Sequence, residues 1–278
     1  MVGAAPSAIV CAGPGLVWEM SVCTAGRVKM VKELVRRVVH GLGFELTRRQ
    51  PDPPTPYEVQ KMMMGTTADL VIFDVGAHHG SRSKIYRRLF SDAVIYGFEP
   101  TPAAVDQLRL AFAGDDLYHP YALALSDRQG EIEFHLNAHG STNSLLGTDA
   151  EAPVDWRSLV KTEGTVTVAT QTIDTFCAEN DISKIDMMKI DVQGAESRVL
   201  RGAREMLARG AIKSVYLEII VAPTYVGQSR PDEIFTLLCG AGLSLVDFYD
   251  IWKCGPVLLQ FDALFALPEY VNRIVKLA

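Results

Sequence analysis

The sequence predicts a doubly wound α/β domain whose mostly parallel sheet ends in an antiparallel strand. From residue 70 onward, short apolar runs typical of buried strands alternate with patterns of helical period. The first run, VIFDVGAHHG at residues 71–80, leads directly into a glycine turn. The last two runs, 243–248 and 258–266, are too close in sequence to be joined by a crossover helix, so they are predicted to be antiparallel neighbours.

Each remaining element follows from its own pattern. Five short apolar runs are predicted to be strands of the main sheet: 70–75, 94–98, 118–125, 185–190 and 214–220. The predicted helices are 81–90, a helix capped by Thr101 with Pro102 in first position, 195–209 stopped by Gly210, and one opened by Pro231. Residues 131–136 and 165–170 alternate apolar and polar, which predicts edge strands or a hairpin.

The N-terminal part has a different character. We predict an extension over residues 1–65, made of a disordered leader (1–26), a basic amphipathic helix (28–42) and a proline-rich linker (50–57), before a main domain at 66–278. Residues 27–49 carry seven Lys or Arg against two acids. Two interpretations of this helix remain open: packing on the body, or peripheral contact with an anionic membrane or partner.

Composition excludes several classes of function. The net charge of −6 argues against a nucleic-acid partner. The five cysteines are odd in number and widely spaced, without a CxxC pair, which argues against a disulfide framework or a zinc site and favours a cytoplasmic location. No apolar run is long enough to span a bilayer.

The glycine turn after the first strand is the main functional signal. Gly76 and Gly80 would let the backbone approach a ligand closely, and the following helix offers free N–H groups. Asp74 precedes them where a dinucleotide enzyme has a glycine-rich cradle for pyrophosphate. A carboxylate there repels phosphate and attracts a cationic ligand, so we predict S-adenosylmethionine. Glu99, at the end of the second strand, is predicted to accept the ribose hydroxyls, and Pro100 beside it is a predicted cofactor contact.

Two further strand ends carry acids. Ser126 and Asp127 follow the third strand and are predicted to border the adenine, the alternative being a plain turn. Asp191 ends the fourth central strand, where an acid can orient an acceptor, take a proton or bind a metal. Glu196 lies in the next helical turn, where favourable placement at a helix N-terminus is an equal alternative to function.

With these residues in place, the sequence resembles the FkbM family of S-adenosylmethionine-dependent methyltransferases. The resemblance rests on VIFDVGAHHG, YGFEP, ALALSD, TIDTF, MKIDVQGAESRVLRGA and YLEI, in order, over residues 66–265. It implies a Rossmann-like class I methyltransferase fold with a seven-stranded sheet, and O-methylation of a small-molecule or glycan hydroxyl. Natural products, sugars and glycolipids are the acceptors it implies.

Two positions depart from the family pattern. His78 stands where many members have Asn, and Gln193 where most have Glu, so the resemblance gives little support for a divalent metal. His78 is a predicted cofactor contact. Asp191 is the first candidate base, with a histidine from His78, His79 or His139 in reserve. The predicted substrate contacts are Ser141, Asn143, Ser144, Glu196 and Glu218. Two other functions stay open: a nicotinamide-dependent oxidoreductase, and a non-catalytic cofactor-binding or scaffold relative.

Overall fold

The computed structural model describes residues 52–276 and, before them, residues 9–13, 16–20, 35, 38–43 and 46–48. The chain divides into two compact units, 1–53 and 54–278. The second unit therefore starts earlier than the predicted boundary at residue 66. The reason is a helix at Pro56–Met64, whose Tyr57, Met63 and Met64 are buried in the same core cluster as Ile72 of the first central strand.

The N-terminal unit contains strands where a disordered leader was expected. Ile9–Gly13 pairs antiparallel with Leu16–Met20, and Leu46–Arg48 pairs with the other edge of the first strand. Both strands of the leading pair are rich in β-branched and aromatic residues, which favours pairing over disorder. Of the predicted basic helix, residues 35 and 38–41 are helical, residue 42 lies in a turn, and the others are outside the described residues, so membrane contact stays a prediction.

In the second unit the elements alternate as the sequence predicts. The strands are β1 (Val71–Val75), β2 (Val94–Phe98), β3 (Tyr118–Tyr121), β4 (Ala124–Leu125), β5 (Gly130–Asn137), β6 (Thr162–Gln171), β7 (Met187–Ile190), β8 (Ser214–Ile220), β9 (Ser244–Cys254) and β10 (Val257–Ala266). The helices are α1 (Pro56–Met64), α2 (Ser81–Leu89), α3 (Pro102–Ala111), α4 (Val154–Arg157), α5 (Ile173–Glu179), α6 (Glu196–Arg201), α7 (Arg204–Ala208), α8 (Pro231–Gly240) and α9 (Pro268–Val275).

Seven of these strands form the central sheet, in the order β9-β10-β8-β7-β1-β2-β3. All neighbours from β8 to β3 pair in parallel, whereas β10 is antiparallel to both β8 and β9. This confirms the predicted doubly wound sheet and its antiparallel final pair. Strand order reverses beside β1, and ligands of such sheets bind at the carboxyl ends of the strands on either side of that point.

Two predicted elements are each divided. The run 118–125 is β3 of the central sheet followed by β4, which instead joins the hairpin of β5 and β6 in a second, three-stranded sheet. The helix predicted at 195–209 is α6 and α7, separated at Gly202. A Cβ at Gly202 would lie 2.0 Å from the carbonyl oxygen of Ser126, so only glycine permits this close approach of two backbones.

Candidate active site

A cavity opens at the carboxyl ends of β7, β1 and β2, beside the reversal of strand order. It holds about 890 Å³ of space free of atoms, its open mouth included. Peptide groups of the turn after β1, apolar side chains and a few charged groups line it. Its lining residues include Gly76, His78, His79, Arg82, Glu99, Pro100, Leu123, Ala124, Leu125, Ser141, Asn143, Lys189, Asp191 and Gln193.

The glycine turn joins two strand ends. Gly76 and Ala77 both donate their N–H groups to the carbonyl of Phe98, at 2.9 and 3.0 Å. Gly76 has φ 77°, and a Cβ there would lie 1.9 Å from the carbonyl oxygen of Asp191. Glycine at 76 is thus required by the contact between the turns after β1 and β7, and that contact brings Asp191 to the cavity.

Glu99 is held rigidly on the β2 side of the cavity. Its Oε2 accepts a hydrogen bond from the His78 N–H at 3.1 Å, and its Oε1 accepts from the Thr101 N–H and hydroxyl at 3.3 and 2.8 Å. The Thr101 side chain makes no helix cap, contrary to the sequence-based expectation, because it is committed to Glu99. Burial raises the pKa of Glu99 although these donors oppose it.

A buried lysine organises the β7 side. Lys189 lies directly opposite Asp74 in the β7–β1 register, and only 4% of it is exposed. Its Nζ donates to the Gly76 carbonyl at 3.0 Å and lies 3.3 Å from Asp191 Oδ2 and 3.5 Å from Asp74 Oδ1. Lys189 is absent from the predicted site residues, although a lysine inside the apolar run IDMMKIDV is itself a signal, since an unpaired buried charge is costly.

Asp74 occupies a different place from the one predicted. It has no exposed surface and does not line the cavity. Its Oδ2 accepts from the Ser83 hydroxyl at 2.5 Å, while its Oδ1 has no hydrogen-bond partner and faces Lys189. Asp74 therefore acts below the cavity floor, where it anchors the lysine that lies beside Asp191.

Asp191 is the carboxylate that reaches the cavity on this side. Burial opposes its ionisation, but the Lys189 ammonium and a hydrogen bond from Gln193 outweigh burial, so its pKa lies below the usual range. Burial alone would likewise lower the pKa of Lys189, yet Asp191 and Asp74 together raise it. Both groups are consequently charged at neutral pH, and Asp191 presents a permanent negative charge to a ligand.

Gln193 links two acids that would otherwise repel each other. It adopts φ 53°, and its Nε2 donates to Asp191 Oδ1 at 3.0 Å and to Glu218 Oε2 at 2.6 Å. Its Oε1 accepts from the Tyr225 hydroxyl at 3.0 Å. An ionised glutamate at 193 could not donate to either carboxylate, whereas the amide of Gln193 donates to both.

The other predicted residues divide into those that reach the cavity and those that do not. Gly76, His78, His79, Pro100, Ser141 and Asn143 line it, in addition to Glu99 and Asp191. Gly80, Ser126, Asp127, His139, Ser144 and Glu196 do not, and Glu218 lines a neighbouring cavity. Leu123, Ala124 and Leu125 take the place expected for Ser126 and Asp127, because the chain leaves the central sheet after Tyr121.

Two of the predicted histidines lie at the surface, and one predicted serine lies in the interior. His79 is exposed and its ring centroid lies 3.6 Å from that of His78. His139 is also exposed, and its Nδ1 is 2.7 Å from the Ser141 hydroxyl. Ser144 is fully buried and donates to the Gln193 carbonyl at 2.7 Å, so it supports the turn after β7 instead of meeting a ligand.

Glu196 has a structural role at this turn. It is 1% exposed, and its Oε1 accepts from the N–H groups of Val192 and Gly194 at 3.3 and 3.0 Å. Burial raises its pKa to about 7. Because folding raises this pKa above its ordinary value of 4.5, the stability that Glu196 contributes is present below that value and is lost as the pH rises through about 7.

Replacing Glu196 by glutamine is therefore expected to flatten the pH dependence of stability. Wild-type protein should lose about 2–3 kcal/mol more unfolding free energy than Glu196→Gln between about pH 5 and pH 8. Urea unfolding at several pH values measures this. Glu205→Gln, an exposed acid in the first turn of α7, is the control. Parallel pH curves for wild type and Glu196→Gln would contradict the assignment.

In residues 52–276 and the shorter described stretches, no group of three or more His, Cys, Asp or Glu side chains is placed to hold a metal ion. None of the described helices combines the length and apolar composition needed to cross a bilayer.

The profile of the Methyltransferase FkbM domain matches residues 74–245, a segment that includes every residue lining the cavity. The chain belongs to the FkbM methyltransferase family. It is 31% identical to 2-O-methyltransferase NoeI of Sinorhizobium fredii over 76% of this chain and 88% of that protein. It is 28% identical to hexuronic acid methyltransferase AglP of Haloferax volcanii over 63% of this chain and 64% of that protein.

A likeness is also found among solved structures. Magnesium protoporphyrin IX methyltransferase from Synechocystis PCC 6803, solved with bound S-adenosylmethionine, aligns over 88% of this chain and 86% of its own with a TM-score of 0.43 and 12% identity. Its family makes the chain a methyltransferase that uses S-adenosylmethionine. Family membership decides against the nicotinamide alternative.

The cavity residues fit this cofactor. Glu99 and Asp191 follow the two strands that flank β1, so they lie about 10 Å apart across the sheet edge. Asp191 can accept from the methionine ammonium and Glu99 from the ribose hydroxyls. Beyond Glu99, the apolar wall of Leu123, Ala124 and Leu125 offers a surface for the adenine ring.

Glu99→Gln is expected to weaken S-adenosylmethionine binding by about 10- to 100-fold, which corresponds to ~1.4–2.8 kcal/mol. The amide loses the charge and one of the acceptor oxygens that Glu99 offers to the ribose. Isothermal titration calorimetry measures the change, with the exposed Glu131→Gln as control. Equal affinities for Glu99→Gln and wild type would remove Glu99 from the cofactor site.

Proposed function

We propose that this chain transfers the methyl group of S-adenosylmethionine to a hydroxyl oxygen of a sugar, whether free or part of a glycolipid or other glycosylated metabolite. The names of two relatives support this, one a 2-O-methyltransferase and the other a hexuronic acid methyltransferase. The observation that carries it is a second cavity that shares Arg82, Lys189 and Asp191 with the first. The cofactor site thus opens onto a space lined by hydrogen-bonding side chains.

Asp191 lies where the two cavities meet, and its role follows from its charge. S-adenosylmethionine supplies a methyl group on a positively charged sulfur. The chain's own residues have to align the acceptor oxygen and exclude water, which can lower a barrier by roughly 7–11 kcal/mol in well-oriented systems. In the proposed function, the Asp191 carboxylate accepts the hydroxyl proton in a hydrogen bond and directs an oxygen lone pair toward the methyl group.

The proton of the acceptor hydroxyl is transferred to solvent through a side chain that lines the cavity. As the oxygen–carbon bond forms, the hydroxyl proton passes to Asp191 and from there to solvent. Lys189 keeps Asp191 ionised before the reaction and limits how long it holds the proton. His79 lines the cavity and is exposed, so it is the second candidate to receive the proton; His139 does not line the cavity.

The test is methyl transfer to defined acceptors. Purified protein with S-adenosylmethionine is incubated with glycosides, amino sugars and uronic acids, and products are analysed by mass spectrometry for one added CH₂ unit. An ether survives mild alkali, whereas a methyl ester is hydrolysed. The proposal predicts an alkali-stable product methylated on oxygen. Methylation only on nitrogen, or only as an alkali-labile ester, would overturn it.

A further inference from the structure

We propose that the second cavity is the acceptor site, and that it binds a neutral sugar ring packed against Trp252 while disfavouring sugars that carry a carboxylate. This inference rests on the proposed function and names the substrate class of the same site. The cavity lies on one face of the sheet, at the ends of β7, β8, β9 and β10.

The floor of the second cavity is lined by polar side chains that are hydrogen-bonded to one another. Tyr216 and Glu218 are two residues apart in β8, and Gln260 and Asp262 are two residues apart in β10. Both pairs therefore point to the same face of the sheet. Glu218 Oε1 accepts from Gln260 Nε2 at 3.1 Å, and the Tyr216 hydroxyl donates to Asp262. These side chains are ordered by one another, which pre-organises their remaining hydrogen-bonding atoms for a ligand.

An irregularity in β9 adds the rest of the cavity wall. The register with β10 shifts between Tyr249 and Trp252 and again between Trp252 and Lys253, and Asp250 adopts φ 44°. A bulge of this kind redirects side chains, and a non-glycine residue in the left-handed region persists only where the surroundings enforce it. Here the bulge places both Asp250 and Trp252 on the cavity.

The lining matches a sugar ring. Trp252 is 59% exposed, an unusual state for the largest apolar side chain, and its indole can cover the C–H face of a pyranose. Glu218, Asp250 and Gln260 beside it carry oxygens that accept hydrogen bonds from hydroxyl groups. A flat apolar platform ringed by acceptors is complementary to a ring with an apolar face and hydroxyl edges.

The charge of the lining selects among sugars. Four carboxyl groups, of Asp191, Glu218, Asp250 and Asp262, face two cations, Arg82 and Lys189. Lys189 is already shared between Asp191 and Asp74. Burial, reinforced by neighbouring acids, raises the pKa of Glu218 and brings that of Asp262 to about 7, so this cavity already penalises a charged carboxylate. A carboxylate brought by the acceptor would meet the same cost of burial and the negative charge of Asp191.

Matched acceptors and three variants test the proposal. Methyl α-glucopyranoside and methyl α-galactopyranoside are compared with their uronic acid counterparts, by steady-state methyl transfer and by saturation-transfer NMR binding. Trp252→Ala should raise the KM for neutral glycosides about tenfold or more, while Trp252→Phe retains most of the affinity. Ile251→Ala, the exposed neighbour in the bulge, is the control. S-adenosylmethionine affinity should be unchanged in all three.

The outcomes separate the two proposals. Neutral glycosides should bind and react at least about tenfold better than the uronic acids. If sugar oxygens are methylated but Trp252→Ala has no effect, or the uronic acids are preferred, the acceptor site is misassigned and the O-methyltransferase function stands. If neutral glycosides fail to bind at all, this inference fails. If the methyl group goes to an acceptor other than a sugar hydroxyl, the proposed function fails with it.

Discussion

Lys189→Met is expected to lower the free energy of unfolding by about 3–5 kcal/mol, the cost typical of breaking a buried ion pair on one side. Methionine fills much of the same volume but leaves Asp74 and Asp191 without their shared cation. Of these two carboxylates, Asp74 is destabilised more by the loss of the cation, because its Oδ1 is buried and has no hydrogen-bond partner. Urea unfolding at neutral pH measures the loss.

Two further variants separate the effect of losing the Lys189 charge from the effect of changed packing. Lys84→Met changes an exposed lysine of α2 and should leave stability within about 0.5 kcal/mol of wild type. Adding Asp74→Asn to Lys189→Met removes one of the orphaned charges and should restore part of the lost stability. A loss below about 1 kcal/mol in Lys189→Met, or no recovery in the double variant, would show that Lys189 does not hold the two acids together.

Asp191→Asn is expected to reduce kcat for methyl transfer by about 10²–10⁴-fold, the usual contribution of a positioned proton acceptor. The amide has nearly the same shape, so Lys189 and the turn after β7 should keep their places. The affinity for S-adenosylmethionine should fall by about tenfold or less, because Glu99 and the apolar wall remain. Single-turnover kinetics and calorimetry on the same protein separate the two effects.

The matched control is Asp116→Asn, an exposed acid outside both cavities, which should keep wild-type kcat. A rise in the KM for the acceptor with unchanged kcat would assign Asp191 to acceptor binding alone. Retention of more than about a tenth of wild-type kcat would exclude Asp191 as the proton acceptor and make His79 the next candidate.

The fold could be predicted because its signals are local. Buried strands, the glycine turn and the short connection before β10 are each visible within a few residues, and handedness rules leave few ways to assemble them. The position of Glu99 and Asp191 at the cavity could be predicted for the same reason, since a residue that directly follows a buried strand of a parallel sheet has to lie at its carboxyl edge.

The remaining features of the site depend on pairing between distant segments. Asp74 was expected to touch the cofactor, but the β1–β7 register sets it opposite Lys189, and a register cannot be read from one strand. Ser126 and Asp127 miss the cavity because β4 joins a second sheet. The bulge that places Asp250 and Trp252 on the second cavity depends on the pairing of β9 with β10, which has no signature within β9 itself.

A crystal structure of this protein with S-adenosylhomocysteine would test the cofactor site most directly. It should show the ribose hydroxyls on the Glu99 carboxylate, the amino group on Asp191, and the adenine against Leu123–Leu125. Asp74 should remain buried against Lys189 without touching the ligand. A ligand bound outside this cavity, or one whose amino group lies at Glu99 and whose ribose lies at Asp191, would contradict the account.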